Sequence, residues 1–149
     1  MKIAVMGEIH PDGWKIFEEN NLESFELLNF EEHNLKKELS EVDAILLRTA
    51  RLSNDVLSYC NKLKIVSRHG VGYDNVNVDY LNKKNIALGI TSTSNAVSVA
   101  EHVLTSFLYL SKNIHLSDKL TREGRFNDKS SLPNYFELYQ KNIVIFGFG

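Results

Sequence analysis

The chain contains one cysteine, Cys60, which excludes an intrachain disulfide and a thiolate metal cluster. No apolar run approaches the roughly 18 residues that a membrane span needs. Charge of neither sign dominates: 17 basic side chains face 19 acidic ones, for a net charge of −2. That balance excludes a generic polycation for nucleic acid or membrane surfaces. The five histidines are scattered without metal-ligand spacing. No Gly-x-Ser-x-Gly nucleophile elbow occurs, and there is neither a low-complexity tract nor a repeat beyond a β-α alternation. Residues 1–7 form too short an apolar stretch for a secretory signal, so the expectation is a cytoplasmic protein.

What is present is a chain of 149 residues, 43% hydrophobic and 24% charged. This suits one globular domain, or one domain and part of another. Charge is unevenly spread. Residues 1–45 carry 11 acids and 4 bases, whereas residues 46–149 carry 8 acids and 13 bases. Solvated helix faces account for this, and so does an anion site in the second part.

Short β-rich runs alternate with helical stretches. Strands are expected at 2–6, 25–30, 43–47, 63–66 and 86–90. Helices are expected after Pro11, at 34–39, at 53–60 and at 78–83. Five such units of roughly 20 residues predict a parallel sheet with helices on both faces. The pattern then changes. Ala100, Val103, Leu104, Phe107, Leu108 and Ile114 keep helical spacing over a longer stretch, and Ser98 with Glu101 has the form of a capping box. Residues 123–142 read as a connector, and 142–146 as a sixth strand ahead of Gly147, Phe148 and Gly149.

Ligands of parallel α/β sheets sit beyond the carboxyl ends of the strands. Three loops should meet there: Gly7 after the first strand, Arg48, Thr49, Ala50 and Arg51 after the third, and Gly70, Val71 and Gly72 after the fourth. Two glycines around one residue permit a turn whose backbone N–H groups bind a carboxylate or phosphate, and Arg48 or Arg51 can add a guanidinium. The alternative is a plain tight turn beside surface arginines. The terminal Gly-Phe-Gly after a strand is the opening of a dinucleotide-binding turn, without the helix that would hold the pyrophosphate. His69 adjoins the anion loop. Glu101 and His102 are adjacent on a helix and point apart, so they form no general-base pair.

These residues resemble a known family, the D-isomer-specific 2-hydroxyacid dehydrogenases, and within it the phosphoglycerate dehydrogenase-like branch. The run from Val66 through Arg68, His69, Gly70, Val71, Gly72, Tyr73, Asp74 and Asn75 to Val76 resembles the family's substrate loop. Leu47, Arg48 and Thr49 resemble its arginine loop, residues 95–102 the start of its long interdomain helix, and 142–149 the first strand and Gly-rich turn of its nucleotide domain. The matches come in order and cover nearly the whole chain.

The resemblance implies a flavodoxin-like substrate domain over 1–96, an interdomain and dimerisation helix over 97–118, and a connector with the start of a truncated Rossmann domain over 119–149. It implies substrate binding by Arg48, Thr49, Val71 and Gly72, with Val71 also near the nicotinamide of NAD and Gly147 and Gly149 starting the pyrophosphate turn. It further implies a homodimer and a small 2-hydroxy or 2-keto acid substrate, which a phosphorylated acid would satisfy. Nucleic acid and membrane are not expected partners. The family's catalytic arginine, glutamate and histidine all follow the Gly-rich turn, so this chain is expected to contain none of them and to be inactive alone. Two local departures are Thr91-Ser92-Thr93 without the usual proline, and Gln140 where a glycine is usual. The competing reading is a non-enzymatic module that binds small carboxylates or dimerises. A phospho-acceptor receiver fits poorly, because Asp43 begins the third strand and Arg48 occupies its end.

Overall fold

A computed structural model describes residues 1–147. It divides into two compact units, residues 1–94 and the part that begins at Asn95.

The first unit is a five-stranded parallel sheet: β1 (Lys2–Met6), β2 (Glu23–Leu27), β3 (Ala44–Leu47), β4 (Ile65–Arg68) and β5 (Ala87–Ile90). Its order is β2-β1-β3-β4-β5, the flavodoxin-like order. The linking helices are α1 (Pro11–Glu19), α2 (Glu32–Leu39), α3 (Asn54–Ser58) and α4 (Val78–Lys83). Successive strand residues point to opposite faces, and both faces are apolar. Ala4, Met6, Ile45, Leu47 and Val66 pack on one side with Leu35, Leu39, Val56, Leu57 and Leu81. Ile3, Val5 and Ala44 pack on the other with Trp14, Phe17 and Leu22. Burial on both faces is what a parallel sheet with βα crossovers requires.

Local chemistry sets the helix starts. Pro11 opens α1, where its missing N–H costs nothing. Ser53 accepts the Val56 N–H at 3.2 Å and Asn77 accepts that of Tyr80 at 3.0 Å, so α3 and α4 begin on side-chain caps. At the amino edge of the sheet, Asp43 accepts the Lys2 N–H at 2.9 Å and meets Lys64 Nζ at 2.8 Å. Those bonds, that of Lys64 foremost, hold its carboxyl below the ordinary range.

Two strands are displaced from the expected ranges. β2 starts at Glu23, and Leu28 and Phe30 lie beyond it, exposed. β4 runs on through Ser67 and Arg68, which pair with Leu46 and Leu47 on one side and Gly89 and Ile90 on the other.

The second unit holds α5 (Ala96–Ser111), α6 (Ile114–Arg122) and a 3-10 helix (Phe126–Ser131). The expected single long helix is therefore two. Asn113 adopts left-handed backbone between them (φ 46°), a conformation asparagine tolerates. α5 starts at Ala96, with Asn95 preceding it, so Ser98 lies inside the first turn and makes no capping box. Phe136 N–H donates to Ser111 O at 3.2 Å, and Lys112 pairs with Glu137 at 3.0 Å, which folds the connector back against the α5–α6 turn. The expected sixth strand is corrected. Residues 142–146 form no strand, and Ile143, Val144, Ile145 and Phe146 are exposed. A strand needs a neighbouring strand to satisfy its backbone, and the described residues supply none there. Phe148 and Gly149, the latter an expected cofactor-binding residue, lie outside the described residues.

Candidate functional site

Because β1, β3, β4 and β5 are parallel and in register, their last residues Met6, Leu47, Arg68 and Ile90 are lateral neighbours. The next residues therefore emerge along one edge of the sheet. Gly7 leaves β1 with φ 106° and Arg48 leaves β3 beside it, its N–H donating to Met6 O at 3.1 Å. Arg48 reaches across the end of β1, where its Nη1 donates to Glu8 O at 3.1 Å. Its other guanidinium N–H groups have no acceptor among the described residues. One bond thus fixes the planar head while its remaining donors stay available to an anion.

The loop after β4 is pinned at both ends. His69 N–H donates to Leu47 O at 2.8 Å, Gly70 N–H to Arg68 O at 2.9 Å, and Thr91 N–H to Gly70 O at 3.2 Å. Gly70 has φ 153°. Val71 and Gly72 are exposed, and their N–H groups have no acceptor among the described residues. A Cβ at residue 72 would meet only Asp74 Oδ2, at 3.8 Å, so the space in front of this backbone is open. Unpaired successive N–H groups bind anions.

A third tie joins the two loops. Asn75 Nδ2 donates to Ala50 O at 2.7 Å, Leu52 N–H donates to Asn75 O at 3.2 Å, and Leu52 bridges Val76. The arginine loop and the glycine loop are thereby clasped into one piece. Asn75 lies within the run that resembles the substrate loop, and nothing in the sequence alone marks it as the clasp.

The other expected residues fall as follows. Thr49 is exposed next to Arg48 and makes no side-chain hydrogen bond among the described residues. Arg51 turns into a separate groove of about 510 Å³ that it shares with Asp55, Asp74 and Asn77. Asp74 borders both this groove and the glycine loop, its Oδ2 lying 3.8 Å from where a Cβ at residue 72 would stand. His69 and His102 are exposed. Gly147 has φ 84° with open space around it. That left-handed backbone suits a phosphate-binding turn. No group of three or more His, Cys, Asp or Glu is placed to hold a metal among the described residues, and no helix is long and apolar enough to cross a membrane.

Sequence reasoning gave no role to Arg68. It ends β4 with its Nε buried and without a partner among the described residues. The one signal was its place at a strand end two residues before a glycine.

Comparison with known proteins gives the family and the fold. The chain is 30% identical over 151 residues to a D-3-phosphoglycerate dehydrogenase of Methanocaldococcus jannaschii, covering 100% of this chain and 28% of that protein. It is 38% identical over 110 residues to one of Mycobacterium tuberculosis, covering 73% of this chain and 20% of that protein. The chain thus spans under a third of these relatives' length. Among solved structures, an NADPH-dependent glyoxylate/hydroxypyruvate reductase of Sinorhizobium meliloti, in complex with NADP and malonate, superposes with a TM-score of 0.83 at 22% identity, over 99% of this chain and 46% of that one. An NAD-dependent formate dehydrogenase of Staphylococcus aureus, in complex with NAD, gives 0.68 at 27% identity, over 87% of this chain and 44% of that one. Residues 3–147 match the family model "D-isomer specific 2-hydroxyacid dehydrogenase, catalytic domain". The chain belongs to the D-isomer specific 2-hydroxyacid dehydrogenase family.

Proposed function

We propose that the chain is the substrate-holding part of an NAD-dependent, phosphoglycerate dehydrogenase-like enzyme that oxidises a small 2-hydroxy acid. The observation that carries this reading is the pair of loops at one sheet edge. The Arg48 guanidinium is anchored on Glu8 O, and the Val71 and Gly72 N–H groups lack acceptors among the described residues. In this role Val71 and Gly72 donate to the substrate carboxylate and fix its direction. Arg48 neutralises the acid end, or a phosphate on it, and Thr49 lines the same edge. Preorganised donors of this kind hold an anion without reordering on binding. Val71 is also the point at which the substrate loop meets the nicotinamide. Gly147 and Gly149 begin the turn for its pyrophosphate.

Within this reading, residues 1–96 are the substrate domain, 97–118 the interdomain and dimerisation segment of a cytoplasmic homodimer, and 119–149 the connector and start of the NAD-binding domain. The exposed apolar side chains of α5, Val97, Val103, Leu104 and Leu108, support a covered face there. In this reading the residues that move the hydroxyl proton are those the family carries after its Gly-rich turn, and His69 is not one of them. The 149-residue chain alone is therefore expected to turn over no substrate.

Calorimetric titration with hydroxypyruvate and with phosphoglycerate tests the reading. Saturable binding that Arg48→Ala weakens by roughly ten- to a hundredfold supports it, as expected for a charged hydrogen bond. Equal affinity in Arg48→Ala removes that residue from the site. Measurable reduction of NAD with a 2-hydroxy acid by this chain contradicts its inactivity.

A further inference from the structure

Arg68 folds back along its own strand. Its Nη1 donates to the carbonyl oxygen of His69, and its Nε is enclosed. The guanidinium occupies the space beside Gly70. A Cβ at residue 70 would lie 2.9 Å from Arg68 Cζ and 3.0 Å from Nη2, closer than packing allows. The φ of 153° is what holds residue 70 to glycine, and the guanidinium, the far end of a flexible side chain, fills the space that a Cβ would take.

The carbonyl that Arg68 holds belongs to the peptide joining His69 to Gly70. The next carbonyl, that of Gly70, is held by Thr91 N–H. Two consecutive peptide planes are thus fixed, the second of which carries the Val71 N–H itself, and the Gly72 N–H follows one residue on. Rotation of either plane would turn those N–H groups away from a common point. Arg48 has no such part, because its bond is to the loop after β1.

We infer that Arg68 is a positioning residue: it locks the 69–70 peptide so that the Val71 and Gly72 N–H groups converge on one anion, and it does not hold that anion itself. The consequence for binding rests on the carboxylate-site reading above, whereas the locking of the turn can be read without ligand.

The test uses the labelled 149-residue chain, with Arg68→Met and Arg68→Lys, observed by NMR before and during titration with malonate. Methionine keeps the stem without donors. Lysine keeps the charge but not the planar fork. In both variants the His69 carbonyl carbon and the Val71 and Gly72 amide resonances are expected to move in the absence of ligand. Malonate should bind Arg68→Met roughly tenfold more weakly, with lysine failing to restore wild-type affinity. Ligand-free resonances that stay at wild-type positions, with affinity restored by lysine, would mean that Arg68 touches the anion and would overturn the inference. A second arm reads the pair directly. Gly70→Ala should lower the melting temperature more in the wild-type background than in Arg68→Met, where the space has been vacated. Equal losses would overturn the pairing. If the wild-type chain ignores malonate while Arg68→Met still moves the ligand-free resonances, the carboxylate reading fails and the positioning of the turn stands.

Discussion

Gly7 and Arg48 leave neighbouring strands at the same level, and a Cβ on Gly7 would stand 3.3 Å from the Cβ of Arg48. A side chain at residue 7 would thus press on the stem of the arginine that lies across the end of β1. The Gly7 φ of 106° adds a conformational demand that alanine meets poorly. Gly7→Ala should cost about 1–3 kcal/mol of stability and weaken carboxylate binding as well. Urea unfolding with a parallel binding titration checks both. A loss of stability with unchanged affinity would show that the guanidinium does not depend on this contact.

Leu47 immediately precedes Arg48 and is fully buried in the core between the sheet and its helices. Leu47→Ala should cost about 2–5 kcal/mol. Because its backbone carbonyl also receives the His69 N–H, the loosened strand end should broaden the His69 and Gly70 amide signals. Unfolding curves and amide line widths measure the two effects separately.

Asp43 is held below the usual carboxylate range by Lys64 and the Lys2 N–H. A lowered native pKa stabilises the fold above the unfolded pKa of about 3.9. That contribution is lost as pH falls through the native value. Asp43→Asn should therefore be less stable than wild type at neutral pH, with the gap closing below about pH 4. Denaturation midpoints across that range check the sign, and a gap that widens toward acid would contradict it.

Burial pushes the Cys60 thiol up to about 11, so at pH 8 it is protonated and enclosed. Labelling by a thiol reagent should be slow in the native chain and fast in denaturant. The raised value also predicts that stability declines as pH rises from about 9 toward 11, because only the unfolded thiol ionises there. Cys60→Ser should flatten that decline.

The sheet was legible because its central strands are short apolar runs between turn residues, as in residues 2–6 and 43–47. The edge strand β2 was displaced because Leu28 and Phe30 are apolar but exposed, while Glu23 and Glu26 belong to the ladder. Hydrophobicity marks burial, and the edge strand buries only Leu27. β4 was read short for the converse reason: Ser67 and Arg68 extend the ladder with polar side chains. Residues 142–146, four of them apolar, read as a strand since composition carries no information about a partner. That Arg48, Val71 and Gly72 follow the carboxyl ends of β3 and β4 was legible from the alternation of apolar runs and turn residues. Arg68 was not, because an arginine that folds back on its own backbone has the same sequence signature as one facing solvent.

In the proposed site the Val71 and Gly72 N–H groups, together with Arg48, take the carboxylate of a 2-keto acid. Amide spectra of the 149-residue chain during a pyruvate titration test it most directly. The Val71 and Gly72 amides are expected to shift saturably, ahead of all others, and Arg48→Ala to raise the concentration needed. Saturable shifts confined to other residues, with Val71 and Gly72 unmoved, would contradict it.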